Sequence, residues 1–320
     1  MNLPEPAAAD GAEAIAGPSR AVYNAEAGEA PAIGSKVPHI VQYQGSKRFL
    51  APRILEFMPL TVPRIVEPFA GTAAVSVAAA AAGRAGRFLL NDLNAPVSGL
   101  LSAAVEDPGA LAGAYGGLWE AQFSHPGGHV SHYVRVRELF NSGDRSPANT
   151  LYLLSRCVKG AVRYSGSDRF NQSPDARRHG TLPGRARQNL QGVSSLLRGR
   201  ASFSSLDYRE VLEEAVPGDL VYMDPPYQGV SGGSGRRYLS GVAFGDLCGA
   251  LRDLNRRGVD FILSYDGRTG ARRYGLELPA ALGCARVLLR AGPSAQATLL
   301  GRRDVTHESL YLSERLAPMP

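Results

Sequence analysis

Cysteine is scarce in this chain. Cys157, Cys248 and Cys284 are the only three in 320 residues. They are too few and too scattered for a disulfide framework or a zinc finger, which fits a reducing cytoplasm. No run of about 18 apolar residues occurs, so no membrane span is expected. The alanine-rich stretch Ala73–Ala82 is too short and too weakly apolar to be one. The first 36 residues lack the basic start and long apolar middle of a signal peptide. They are rich in Ala, Gly, Pro and Glu and read as a disordered tail. His125, His129 and His132 have a spacing that suits a metal, but no cysteine or carboxylate nearby in sequence completes a site, and no metal is expected.

What is present is apolar enough for a sizeable core, at 44% hydrophobic residues, and long enough for one large domain or a domain with an insert. The charge is uneven. Leu151–Arg200 holds nine arginines and one lysine against two aspartates, a net +8, which leaves −2 for the rest of a chain whose total is +6. A basic block in a mildly acidic background is the footprint of a polyanion site. Arg156, Lys159, Arg163, Arg169, Asn171, Arg177, Arg178, Arg185 and Arg187 are its candidate DNA contacts. The stretch from Arg163 to Arg187 is rich in Gly, Ser, Pro and Asn, which predicts a loop or hairpin.

Strand and helix patterns alternate along the rest, which argues for a parallel α/β sheet. Two strand ends stand out. Asp219–Met223 is an apolar run that ends in Asp224-Pro225-Pro226-Tyr227. Two prolines stiffen this turn and carry no N–H. A carboxylate and an outward carbonyl there can accept both N–H bonds of a nucleobase amine, freeing its lone pair for methyl transfer. Tyr227 offers a flat face to an extruded base. Upstream, Arg64–Glu67 leads into Pro68-Phe69-Ala70-Gly71-Thr72. Gly71 permits close approach of a ligand and Thr72 is expected to cap the following helix. This turn has neither the Gly-x-Gly-x-x-Gly pattern nor a phosphate loop. A second strand, Arg87–Asn91, ends at Asp92, which is placed either to accept from a ribose or to cap a helix. Tyr265 and Asp266 follow another apolar strand and either border the pocket or form an Asp-Gly turn.

In this order, Glu67-Pro68-Phe69-Ala70-Gly71, Asn91-Asp92-Leu93-Asn94 and Asp224-Pro225-Pro226-Tyr227 resemble the Dam-like, alpha-group DNA amino-methyltransferases. Tyr43–Leu50 is similar to that family's amino-terminal Gly-x-Lys motif, and Phe203–Tyr208 to its adenine-side strand and loop. The resemblance runs from about Val41 to Ser313. It implies a Rossmann-like methyltransferase sheet with a reversed last strand, an inserted DNA-recognition subdomain, and S-adenosylmethionine as methyl donor. It places a catalytic domain over 37–110 and 201–320, with a target-recognition insert over 111–200. The cofactor set implied is Tyr43, Gly45, Lys47, Glu67, Pro68, Phe69, Gly71, Asp92, Leu206, Asp207 and Asp224. The catalytic set is Asp224, Pro225, Pro226 and Tyr227. The partners implied are double-stranded DNA and a cognate restriction enzyme, with the protein cytoplasmic and nucleoid-associated.

Two departures bear on this. Ala73 stands where the family usually has a second glycine. Leu154–Gly160 lacks the asparagines and phenylalanine of the Asn-Arg-x-x-Phe-Asn-Gly run common in adenine enzymes. Adenine N6 is the favoured target, and cytosine N4 is open by the same chemistry. An RNA or protein amine methyltransferase and a non-catalytic nucleic-acid-binding module are the remaining alternatives.

Overall fold

Apolar runs that end in polar turns make the centre of this molecule a parallel sheet. A computed structural model of the chain describes residues 22–23, 37–226, 242–270, 272–293 and 305–316. The strands are β1 (Val22–Tyr23), β2 (Val62–Glu67), β3 (Ala85–Asn91), β4 (Ala201–Ser204), β5 (Leu220–Met223), β6 (Asp260–Thr269), β7 (Arg272–Tyr274), β8 (Ala285–Pro293) and β9 (Val305–Leu312). The helices are α1 (Ala51–Leu55), α2 (Ala74–Ala81), α3 (Ala95–Glu106), α4 (Pro108–Ser124), α5 (Gly128–Asn141), α6 (Pro147–Arg156), α7 (Pro183–Leu197), α8 (Tyr208–Glu213) and α9 (Phe244–Arg257). The expected disordered tail lies outside the described residues, apart from β1.

The sheet order is β1-β8-β9-β6-β5-β2-β3-β4, with β7 on β6. Strands β4, β3, β2, β5 and β6 are mutually parallel, and β9 runs antiparallel between β6 and β8. This is the Rossmann-like methyltransferase sheet with its reversed last strand. The chain moves outward from β2 to β3 and β4 on one side and from β5 to β6 on the other. The crevice at the carboxyl ends of β2 and β5 is therefore the topological switch point, where open α/β sheets bind ligands. At the other end of the same pair, Arg64 forks onto buried Asp219 (Nη2–Oδ2 2.6 Å, Nε–Oδ1 3.2 Å) and ties β2 to the turn before β5.

Two apolar layers cover the sheet. Phe88, Leu90 and Ile65 face α1, α2, α3 and α7, and that core runs on without a break into Tyr115, Tyr133, Phe140 and Tyr152 of the segment between β3 and β4. On the other face Val66, Val221 and Phe261 pack against α8 and α9. Helix α9 is amphipathic, with Leu247, Cys248, Leu251 and Leu254 buried, arginines in its last turn and left-handed Gly258 as its C-cap.

The pattern reading misses α4 and α7. Helix α4 carries Gly109, Gly113, Gly116 and Gly117, and α7 carries Gly184 and Gly192. Each glycine lowers intrinsic propensity, but tertiary burial of residues such as Tyr115, Leu190 and Leu197 overrides it. The expected loop from Arg163 to Arg187 is a hairpin only in its first part, where Tyr164 bridges Phe170 and Cys157 bridges Pro174. Arg185 and Arg187 sit at the start of α7 instead. His129 and His132 belong to α5. They pack in ring contacts with His179 and Tyr152. Among the described residues no group of three or more His, Cys, Asp and Glu is arranged to hold a metal ion, and no helix is long and apolar enough to cross a membrane.

Candidate active site

A cavity of about 730 Å³ opens at the switch point. The loop after β2 forms its floor. Gly71 takes φ +52° and Ala73 takes φ +53°, so the backbone turns back on itself before α2 begins. A Cβ on Gly71 would sit 3.2 Å from the Tyr43 ring, so both the conformation and this close approach favour glycine. The family's second glycine is explained in the same way. Ala73 is a left-handed N-cap, and a residue with a Cβ is strained there. Thr72 does not cap the helix as expected, because the chain enters α2 one residue later and no side chain caps it.

Asp92 accepts from the backbone N–H of Gly71 (2.8 Å) through one oxygen and from that of Asn94 (2.9 Å) through the other. It thus holds the β2 and β3 loops together, and each oxygen keeps a lone pair for a ligand. It is not an N-cap, since α3 starts after Asn94. Burial raises its pKa above the ordinary carboxylate value. Asn91, to which the sequence assigned no role, joins three loops. Its amide donates to the carbonyls of Pro68 and Leu206 (both 3.0 Å), and its Oδ1 accepts from Leu206 N (2.8 Å) and Ser204 Oγ (2.7 Å). Its position directly before Asp92 was the only available signal. Asp207 lines the cavity and also caps α8, in a reciprocal capping box with Glu210. The Phe69 and Tyr208 rings, 5.2 Å apart, give that end an aromatic wall.

Asp224 leaves the end of β5 and meets Lys47, whose Nζ lies 2.8 Å from Asp224 Oδ1 and 3.3 Å from Glu308 Oε2. Lys47 is buried, and a fifth of the Asp224 side chain is open to the cavity. Burial pushes Asp224 up to about 6; the Lys47 ammonium opposes this and the Glu308 carboxylate adds to it. Glu67, 3% exposed, accepts from the Ser76 hydroxyl. Burial pushes it up to about 8 against that hydrogen bond, helped by the negative charges of Asp224 and Asp92.

Every residue of the expected cofactor set lines this one cavity, as do Asp224, Pro225 and Pro226. Tyr227 lies outside the described residues. Glu308, Asp246 and Tyr164 also line the cavity, and their spacing in sequence gives no hint of it. Tyr265 and Asp266 do not. A register shift between Ser264 and Gly267 re-aims the strand so that Gly267 and Thr269 face the cavity. Asp266 is buried and pairs instead with Arg286 at 2.5 Å.

None of the expected DNA contacts lines the cavity. Lys159, Arg169, Asn171, Arg177, Arg178, Arg185 and Arg187 are exposed on the segment between β3 and β4, and Arg163 is half-buried there. Arg156 is a correction. It is fully buried, with Nη1 donating to the Asp175 carbonyl at 3.0 Å, so it cannot reach a phosphate. It lies on the inward face of α6 beside Tyr152 and Leu153. Arg200, counted in the basic block, bonds the carbonyls of Ala85 and Gly86 at the far end of β3.

The reversed last strand, the carboxylates at the ends of β2, β3 and β5, and a cavity at the switch point define a Rossmann-like methyltransferase. Sequence comparison narrows the class. The model of the D12 class N6 adenine-specific DNA methyltransferases matches residues 43–277, and the chain belongs to that family. It is 27% identical over 244 residues to the DNA N-6-adenine-methyltransferase of Escherichia phage P1, covering 73% of this chain and 30% of the phage protein. It is 27% identical over 199 residues to the retron Ec67 DNA adenine methylase of Escherichia coli, covering 61% of this chain and 65% of that one. The chain thus spans less than two thirds of the length of both relatives. An rRNA methyltransferase of Streptomyces viridochromogenes superposes with a TM-score of 0.37 at 15% identity, over 90% of this chain and 92% of that one. That superposition is loose, and the strand order carries the fold assignment by itself.

Proposed function

We propose that this chain transfers a methyl group from S-adenosylmethionine to the N6 amino group of an adenine taken out of a specific duplex DNA sequence. The observation that carries the reading is the buried ion pair of Lys47 with Asp224 at the switch point, in one cavity with Glu67 and Asp92.

The residues fit the methyl donor. The positive-φ turn at Gly71 brings backbone close to a ligand, Asp92 has lone pairs for two ribose hydroxyls, and Phe69, Leu206 and Tyr208 line an apolar end suited to a flat base. When bound, the sulfonium supplies an electrophilic methyl carbon. The chain's own residues prepare the nucleophile. Asp224 accepts one amine hydrogen and the Pro225 carbonyl accepts the other, pulling the nitrogen toward tetrahedral geometry. Lys47 holds Asp224 in place and favours its ionised form. Tyr227 stacks on the extruded base, a contact typically of about 1–3 kcal/mol.

The segment over 111–200 serves in this reading as the target-recognition insert, and its exposed arginines and Lys159 neutralise phosphates and read base edges. The remaining 37–110 and 201–320 form the catalytic domain. On this reading the chain works at the nucleoid in the cytoplasm, and a cognate restriction enzyme is its functional counterpart.

The test is mass spectrometry of nucleosides after reaction of the chain with duplex DNA and labelled methyl donor. N6-methyladenine is expected. N4-methylcytosine alone would move the target to cytosine. Methylation at cytosine C5 would overturn the mechanism, since carbon attack needs a cysteine nucleophile and no cysteine lines the cavity among the described residues.

A further inference from the structure

We propose that Arg48, His39 and Arg185 form a phosphodiester-binding cradle beside the turn into α2 that also walls the catalytic cavity. The proposal rests on the reading of this chain as a DNA enzyme and adds a contact that lies partly outside the basic insert.

The cradle begins from the geometry of a short helix. Lys47, Arg48 and Phe49 form one turn of 3-10 helix, in which successive side chains diverge by about 120°. Lys47 turns into the cavity toward Asp224, so Arg48 turns away from it, to a gap walled by Thr72 and Ala74, which also line the cavity. The Arg48 guanidinium lies 5.8 Å from the centre of the Phe49 ring, which is 80% exposed. A cation held against an exposed ring has one face fixed and its edge free for an anion.

Arg48 Nη1 lies 3.3 Å from His39 Nε2. Arginine has only donors, so Nε2 is the acceptor and the ring hydrogen sits on Nδ1. Arg48 Nε and His39 Nδ1 are both buried and lack hydrogen-bond partners among the described residues. Arg185 stands at the start of α7, the helix whose Gly192 packs against Pro38, next to His39 in the chain. Helix α7 has no acidic residue in its first turn and no side-chain cap, so its own positive end is left uncompensated.

Arg53, Arg64, Arg145 and Arg169 each pair with a carboxylate. Neither Arg48 nor Arg185 forms such a pair among the described residues. Burial lowers the pKa of Arg48, and burial with the two arginines lowers His39 to about 4. Arg48 and His39 meet without a counter-ion among the described residues, with Arg185 on the helix packed beside them. The anion that chemistry calls for is an oxygen-rich, singly charged group that arrives with the base, which is a backbone phosphate. The gap behind His39 and Arg48 has only about 10 Å³, so the phosphate seats on the outer side, where Arg48 is partly open and Arg185 is exposed.

The experiment measures duplex DNA affinity of the full chain across a salt series for wild type, R48Q, R48K and R185Q, with S-adenosylmethionine calorimetry on each. R48Q and R185Q should each reduce the slope of log K against log salt by about 0.9, the value for one lost phosphate contact on B-DNA. R48K should restore it, because a phosphate needs a charge rather than a fork. Cofactor affinity should stay unchanged throughout. In parallel, the His39 imidazole resonances should move toward the charged form on adding duplex and much less with inorganic phosphate. A wild-type slope in R48Q, or a loss that R48K does not restore, would overturn the cradle. An equal response of His39 to inorganic phosphate would make it a free-anion site and overturn the assignment to DNA. A wild-type chain that holds no duplex at low salt would instead overturn the reading of the chain as a DNA enzyme, and the cradle with it.

Discussion

Lys47 and Asp224 lie 177 positions apart in the chain and meet at 2.8 Å inside the cavity. An ammonium this well buried is costly to desolvate unless it is paired. The pair therefore acts in both directions: Asp224 keeps Lys47 charged, and Lys47 keeps Asp224 from rising further than about 6. Because the ionised carboxylate is the hydrogen-bond acceptor, turnover should fall as pH drops through about 6. In K47M the opposing charge is gone, so this acid limb should shift to higher pH and activity at neutral pH should drop. A pH profile of kcat for wild type and K47M checks this. An unmoved acid limb would show that Asp224 is not the titrating group.

Glu67 stands at about 8 and is mostly protonated at neutral pH. A cationic ligand in the same cavity favours its ionised form. Binding of S-adenosylmethionine should then release a proton below about pH 8, and affinity should rise with pH by up to about tenfold per unit, the limit for one linked proton. Calorimetry in buffers of different ionisation enthalpy reads this directly. The same group affects stability. Its folded pKa lies above its unfolded value near 4.5, so its contribution is most favourable below 4.5 and is lost as pH rises through about 8. Glu67→Gln should flatten the fall in Tm between pH 5 and pH 9.

Asp92→Ala removes two backbone acceptor bonds as well as the acceptors for a ribose. Cofactor affinity should fall by about 1.5–3 kcal/mol, the range for hydrogen bonds to a charged group. A folded variant with wild-type affinity by calorimetry would remove Asp92 from the cofactor site.

Ala73→Gly should raise stability. The alanine is held at φ +53°, a conformation that costs a residue with a Cβ about 1–2 kcal/mol, and glycine gives part of that back through its freer unfolded state. Denaturant unfolding of the two proteins gives the sign.

Replacing Arg177, Arg178, Arg185 and Arg187 together by glutamine should weaken duplex binding, lessen its salt dependence and spare cofactor binding. Arg156→Gln should behave differently. Arg156 is buried against Gly180 and bonded to Asp175, so its loss should lower Tm while leaving the salt slope of the folded protein in place. Filter binding across a salt series with parallel melting curves separates the two outcomes.

The parallel sheet and the strand ends that wall the cavity were legible in the sequence because each rests on local chemistry, whereas the reversed last strand came only from the family resemblance and the strand order from the structure. A strand that ends in a carboxylate, a glycine turn and a Pro-Pro turn announce themselves within a few residues, and their order along the chain places them at the carboxyl ends of neighbouring strands. Helices α4 and α7 were hidden because their glycines weaken a local signal that packing supplies instead. Tertiary structure alone decided which charges act on one another. It set Glu308 beside Lys47, buried Arg156 while leaving Arg177 exposed, turned Asp266 away from the cavity through one shift in register, and brought His39 and Arg48 together. Electrostatic interaction depends on distance and burial in space, and neither is written in the spacing of residues along the chain.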